Sequence, residues 1–488
     1  MPSPVELCGS LRPSRRRPVG WAWVLPVAVA ISVVACASQA PQAPIQASVD
    51  IPVGWSRPDF RLGGPDTDLT QWWRQFHDVQ LTELVEAALQ ASTDVVQARI
   101  AVRQADALHE LAVAQSLPSV NYAAQAQRSQ AGGGNASDAI QIGLSASWDA
   151  DVFGGRHHAI DAAQAQQQSA QASQGNVELL VAGRLALDYI SLRSAQLRLE
   201  IAGKNLASLL ETLQITQWRN QAGLIGATEV EQAQVSVELT RSQVLPLELS
   251  IASLAHSLAV QTGRPPAALV GELQLTKPVP LAVWRVHIAS PRDVLRLRPD
   301  VRAARYAVGK AEFDVAQAQA RRYPVLSLGA NAGIGAATVA ALAQGSPGFA
   351  GMVLGLTGPL WDGGALQAQV RGQQTALALA QERYRATVLG ALQGVEDAMA
   401  AMDSSAARSP QLQSAAQAAG RAATLARQRY ASGLVDFQVV LETQRSQWTT
   451  EDALAQAHAM VSSDQVRLYQ ALGGGMSSLA GSTSLQNP

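Results

Sequence analysis

The sequence is short of most things that chemistry at a protein site needs. It has two cysteines, Cys8 and Cys36, so it cannot hold a disulfide framework or a zinc–thiolate cluster. Its 37 basic and 38 acidic residues leave a net charge of −1, which gives no footprint for nucleic acid. No run of 18 uninterrupted apolar residues follows residue 35, and no transmembrane helix is expected there. There is no G-x-x-x-x-G-K-[ST] loop, no H-E-x-x-H and no G-x-S-x-G. Gly203-Lys204 stands inside a helical run without a preceding loop. Neither an enzyme nor an ATP-driven machine is expected.

What is present begins with an export signal. Arg12, Arg15, Arg16 and Arg17 precede an apolar stretch from Val19 to Ala35 that is broken by Pro26. Val33-Val34-Ala35-Cys36 resembles a bacterial lipobox, which implies cleavage before Cys36 and lipid attachment there. Ordinary cleavage near Ala35 or Ala40 is the alternative. Loss of residues 1–35 removes those four arginines and Glu6, moving the net charge from −1 to −4. Residues 36–65, rich in Pro, Ala, Gln and Ser, read as an extended tether. Ala37 and Ser38 after the cysteine, with no Asp, fit sorting to the outer membrane.

Four segments alternate with period two. Ile140, Ile142, Leu144, Ala146 and Trp148 oppose Gln141, Gly143, Ser145 and Ser147. Leu326, Leu328, Ala330, Ala332 and Ile334 oppose Ser327, Gly329, Asn331 and Gly333. Val120, Tyr122, Ala124 and Ala126 oppose Asn121, Gln125 and Gln127; Met352, Leu354 and Leu356 oppose Gly351, Gly355 and Thr357. The strands are placed at about 118–130, 139–152, 324–336 and 349–361, with loops over Gln130–Asp138 and Ala336–Gly348. Membrane strands need this apolar-out, polar-in pattern over about 9–11 residues. Trp148, Phe153, Tyr323, Phe349 and Trp361 near the strand ends are expected at the lipid interface. Two hairpins packed on helices in a soluble domain is the plainer reading of the period alone. Four strands cannot close a barrel whose smallest common size is about eight, so a membrane reading needs several chains to pool strands.

The rest is helix, and everything occurs twice. Helices are expected at about 155–222 and 226–262, then again at about 363–431 and 436–472. At 1.5 Å per residue, about 65 residues make a rod of roughly 100 Å, which needs lateral packing to be stable. Asp94-Val95 with Ala98-Arg99 echoes Asp300-Val301 with Ala304-Arg305 at an offset of 206. Gln221-Ala222-Gly223-Leu224 echoes Ala431-Ser432-Gly433-Leu434 at 210. The copies run from about Thr93 to Arg264 and from about Pro299 to Gly473. The expected organisation is signal 1–35, tether 36–65, leading helix with first repeat 66–264, linker 265–297, second repeat 298–473 and tail 474–488.

Five motifs carry a family resemblance. They are Trp72-Trp73-x-x-Phe76-x-Asp78 with Leu81-x-x-Leu84, Trp148-Asp149-Ala150-Asp151-Val152-Phe153-Gly154-Gly155-Arg156, and Gly358-Pro359-Leu360-Trp361-Asp362-Gly363-Gly364. The others are Gly263-Arg264-Pro265-Pro266 and Tyr430-x-x-Gly433 with Phe437-x-x-Val440-Leu441-Glu442-x-Gln444-Arg445. In this order they resemble the TolC-like outer-membrane efflux channels, in the lipoprotein branch of OprM and NodT type. The resemblance implies an α+β membrane protein with four transmembrane strands per chain. Its homotrimer has a 12-strand barrel and a 12-helix periplasmic tunnel. It implies a passive exit duct for small toxic compounds, anchored by lipid in the bacterial outer membrane. The partners would be a periplasmic membrane-fusion adaptor and an inner-membrane pump of RND type, with no cofactor beyond the lipid on Cys36.

The same resemblance assigns candidate residues. Gly223, Leu224, Ile225, Gly433, Leu434 and Val435 are adaptor-docking tips; Gly at such a break can also simply end a helix. Glu442 matches an acidic residue lining the closed aperture, Arg445 a basic residue that ties neighbouring helices, and Gln438 the place of an aperture leucine. Asp149, Asp151 and Asp362 read as helix caps, and His157-His158 as a surface pair. The rival readings are an outer channel for polypeptide secretion and a periplasmic coiled-coil adaptor or scaffold.

Overall fold

The computed structural model describes residues 50–57, 69–130, 132, 136–281, 288, 290–345 and 348–474. The export signal, Cys36, residues 133–135, residues 346–347 and the tail after Gly474 lie outside the described residues.

The duplication is visible element by element. A 3-10 segment, Leu69–Phe76, leads into α1 (Val79–Ala91) and α2 (Thr93–Ala114). Then come β1 (Ser119–Ser129), β2 (Ser137–Ala150), α3 (Gly155–Gln221) and α4 (Ala227–Gln261). After α5 (Pro291–Leu297) the second copy runs α6 (Pro299–Ala320), β3 (Val325–Ala336), α7 (Val339–Ala343), β4 (Gly348–Thr357), α8 (Ala365–Ala431) and α9 (Phe437–Ala471). Helices α2 and α6 are both 22 residues long, α3 and α8 both 67, and α4 and α9 both 35. The drift in offset has a simple cause. Ala114 and Gly155 are 41 positions apart, whereas Ala320 and Ala365 are 45 apart. The four extra residues belong to the second hairpin segment, where α7 sits in the loop. The copies are units of sequence rather than of packing. One compact unit combines Pro118–Gly155 with Ala320–Leu360, and the other takes the remaining helical segments of both copies.

The first unit is one antiparallel sheet in the order β1-β2-β3-β4. Its register joins the alternating patterns into two continuous faces. Tyr122 pairs with Leu144, Leu144 with Ala332, and Ala332 with Ala350; Trp148 pairs with Leu328, and Leu328 with Leu354. That face is apolar across four strands up to the Arg128–Asp138 pair beside the first hairpin loop, yet Leu144, Met352, Leu354 and Leu356 are exposed. The other face carries Asn121, Ser145, Asn331 and Gly351 in one row and Ser147, Gly329 and Val353 in the next. Phe349 belongs to this second face, paired with Gly333. Phe349 sits at a strand end as expected, but period-two alternation puts it out of phase with Met352, Leu354 and Leu356, on the face opposite theirs. Asp149 is not at a helix start; it lies within β2, opposite Ser327. Phe153 and Tyr323 stack at the strand ends, with ring centroids 4.7 Å apart.

The second unit is held by a belt of non-repeated chain on the long helices. Trp72 stacks on Tyr469 of α9 at 5.5 Å, and the Tyr469 hydroxyl donates to Gln75 Oε1 at 2.5 Å. Asp78 caps α1 by accepting from Leu81 N at 3.0 Å, and its other oxygen accepts from the Tyr189 hydroxyl of α3 at 2.8 Å. Burial pushes the Tyr189 phenol well above its usual range, so it stays protonated as that donor. Fully buried Arg193 donates to Gln196 Oε1 at 2.6 Å, Leu275 O at 2.8 Å and Gln80 Oε1 at 2.6 Å. It thus joins α3 to both the leading segment and the linker. At the equivalent place in α8, 210 positions on, stands Asp403, which receives Arg57; Ser56 N donates to nearby Glu396 at 2.9 Å. The duplicated helices have diverged at this level to hold different straps.

By length and composition alone, one described helix, α4, is long and apolar enough to cross a membrane. Glu229, Glu231, Glu238, Arg241 and Glu248 punctuate it, which is why no uninterrupted apolar run shows in the sequence. Val235, Leu239, Leu245 and Leu249 on it are exposed in the single chain.

Candidate functional site

Both helical hairpins turn by the same device. At the end of α3, Gly223 takes φ +71°, Gly223 N donates to Asn220 O and Leu224 N to Arg219 O, both at 2.9 Å. At the end of α8, Gly433 takes φ +75°, Gly433 N donates to Tyr430 O and Leu434 N to Arg429 O, both at 2.9 Å. Glycine is required because this helix-ending pattern needs a left-handed residue. Leu224 and Leu434 then project into solvent, whereas Ile225 and Val435 are half-buried, Val435 against the core of the hairpins. Of the six expected tip residues, two glycines form the turns and two leucines present apolar surface.

The hairpins are packed on one another by Leu209, Leu213, Val237, Tyr430, Phe437 and Val440. Arg219 crosses from the first hairpin to the second. Its Nη1 donates to Tyr430 O at 2.7 Å, and its guanidinium carbon lies 4.4 Å from the Tyr430 ring centroid. A cation at the carbonyl end of α8 is favoured by the helix dipole, and the ring adds a cation–π contact.

Gln438, Glu442 and Arg445 are all exposed on α9. Their spacing of four and three puts them on one stripe. Phe437, Val440 and Gln444 are the buried side of the same turns. Gln444 sets the rotation of the helix. Its Nε2 donates to Ser208 Oγ at 3.2 Å and Thr212 Oγ1 at 3.0 Å on α3, and Arg427 also donates to Ser208 Oγ at 2.9 Å. Sequence reasoning missed this positioning role, although Gln444 stands inside the quoted motif. Within one chain, the Glu442 and Arg445 side chains make no hydrogen bond or ion pair to the described residues. The tie expected of Arg445 is thus not made inside the protomer. The first copy has Gln232 and Val235 at the matching positions, so the charges belong to the second hairpin alone.

The remaining polar candidates are structural. Asp362 accepts from Gly364 N and Leu366 N, both at 2.8 Å, and so caps the start of α8. His157 is exposed, 3.7 Å from Asp161. His158 instead turns inward and stacks on Phe313 at 6.5 Å, so the pair is not wholly a surface feature. Among the described residues no group of three His, Cys, Asp or Glu could hold a metal.

The arrangement of strands, paired long helices and glycine-turned tips agrees with known proteins. The family model for outer membrane efflux proteins matches residues 84–264 and 290–474, one stretch for each copy. Nodulation protein T of Rhizobium leguminosarum bv. viciae is 29% identical over 417 residues, covering 84% of this chain and 85% of that protein. Pyoverdine export outer membrane protein OpmQ of Pseudomonas putida is 29% identical over 464 residues, covering 92% and 96%. The solved outer-membrane channel OprN superposes with a TM-score of 0.80 at 27% identity, over 90% of this chain and 97% of that one. The chain belongs to the outer membrane efflux protein family and is a TolC-like efflux channel protein of the outer membrane.

Proposed function

We propose that this chain is the exit duct of a tripartite, RND-type efflux system for small compounds. It works as a homotrimer, anchored by lipid on Cys36, and is opened at its periplasmic end by an adaptor. The observation that carries the reading is the sheet. It is apolar on one exposed face and small or polar on the other, and among the described residues β1 and β4 each keep an unpaired edge. In lipid such edges must be paired, and four strands cannot close alone. Three chains supply twelve strands, and the exposed leucines and valines of α4 supply apolar surface for lateral helix packing. The relative OpmQ is named for pyoverdine export, which supports a small-compound cargo over a polypeptide.

Leu224 and Leu434 are the adaptor contacts, and Glu442, with Gln438 and Arg445, lines the aperture. Three symmetry-related Glu442 carboxylates form a cation-attracting ring, and Arg445 reaches a neighbouring chain. Gln438, in the place of a leucine, makes this a polar constriction. In planar bilayers the double substitution Glu442→Ala with Arg445→Ala is expected to raise single-channel conductance and weaken cation preference. Conductance equal to wild type would remove these residues from the gate.

A further inference from the structure

The small face of the sheet carries one aromatic side chain among the strand residues, and it is Phe349. The rest of that face is Gly, Ala, Ser, Asn, Gln, Asp149 and Thr357, with Val353 and, at the far end of the sheet, Val325 as the only branched apolar side chains among its strand residues. Phe349 starts a row in which Gly333, Gly143 and Ala123 follow across the sheet. Its ring reaches over Gly333: a Cβ built there would stand 2.8 Å from the ring's Cζ. The same Cβ would meet Ile142 O at 2.6 Å, so only glycine fits beneath the ring. The ring remains 41% exposed. A large apolar side chain on an otherwise hydrogen-bonding surface, seated on a trough of missing side chains, is not explained by sheet packing alone.

We propose that Phe349 is a lumenal aromatic contact against which planar aromatic compounds stack as they pass the strands. This rests on the channel reading, in which the small face lines the lumen. Ser145, Ser147, Asn331 and Gln141 on that face carry hydrogen-bonding groups and offer little to a flat apolar solute. The Phe349 ring offers a π-surface, and the glycine row keeps it from narrowing the passage. The contact is selective for planarity rather than charge, because aromatic rings stack or meet edge to face.

Two measurements on the full-length protein in planar bilayers test this. Phe349→Cys channels are treated with a bulky water-soluble methanethiosulfonate; the only other cysteine after residue 35 is Cys36. Conductance should fall in steps, one per chain, while Met352→Cys, on the opposite face, should show none. Ethidium, added from the side of the hairpin loops, should block wild-type current with dwell times about 2- to 10-fold longer than in Phe349→Ala. Phe349→Trp should keep the long dwell and Phe349→Leu should lose it. Equal dwell in wild type and Phe349→Ala, or steps in Met352→Cys in place of Phe349→Cys, would overturn the proposal. A wild-type chain that forms no channel would instead bring down the parent reading.

Discussion

Leu144→Arg is expected to stop the protein from assembling in the outer membrane, while Ser145→Arg leaves assembly intact. The two residues are neighbours in the middle of β2 and differ only in face. Leu144 pairs with Tyr122 and Ala332 on the apolar face; Ser145 pairs with Asn121 and Asn331 on the small one. An arginine facing lipid near the bilayer midplane costs about 2–4 kcal/mol in a barrel strand. In a trimer the cost recurs in each chain and reaches roughly 6–12 kcal/mol, comparable to the whole stability of a typical domain. Ser145→Arg faces water and should alter conductance and ion preference instead. Outer-membrane fractionation with heat-modifiable gel migration reads the first effect, and planar bilayers read the second. Equal assembly of the two variants would show that neither face meets lipid.

The second large effect is expected at Arg193. This guanidinium is fully buried on α3, with no carboxylate at ion-pair distance among the described residues. Its Nη1 and Nη2 donate to Gln80, Gln196 and the Leu275 carbonyl, its Nε has no partner among the described residues, and the guanidinium carbon lies 4.8 Å from the Tyr189 ring centroid. Tyr189 in turn donates to Asp78, so the nearest acidic group is reached through the phenol. Arg193→Ala would strand three acceptors and open a cavity in the belt that holds the leading segment and linker to α3. The expected destabilisation is about 3–5 kcal/mol. Arg193→Lys keeps the charge but loses the planar fork, and should recover only part of it. Thermal unfolding followed by circular dichroism, at fixed protein and detergent concentration, checks this. A melting temperature unchanged in Arg193→Ala would show that the belt does not depend on the buried cation.

These two residues also mark how far the sequence could be read. The sheet was legible because alternation with period two needs no tertiary information, and the apolar phase of Leu144, Leu328 and Leu354 is the same in every strand. The helices were legible because their Ala, Gln and Leu content runs on to glycines 223 and 433, with Pro410 the one proline inside those two runs. Arg193 was not legible, since nothing local distinguishes a buried arginine from a solvated one; two of its three acceptors lie 82 and 113 positions away. Gln444 was hidden in the same way, its acceptors being on another helix more than 200 positions earlier. Phe349 was legible in principle, because counting back from Met352 gives its face. The general expectation that aromatics at strand ends meet the lipid interface pointed the other way. For Glu442 and Arg445, the single chain gives their stripe and their exposure, and their partners belong to the assembled channel.

In the channel reading, several copies of this chain pool their strands into one membrane barrel. The most direct measurement is the mass of the full-length protein extracted from outer-membrane fractions in mild detergent, corrected for bound detergent. A mass of three chains, converting to one chain on boiling, is the predicted result. A monomer or dimer, or recovery in the soluble fraction, would contradict it, because one or two sheets would then have to leave their edge strands and apolar face uncovered.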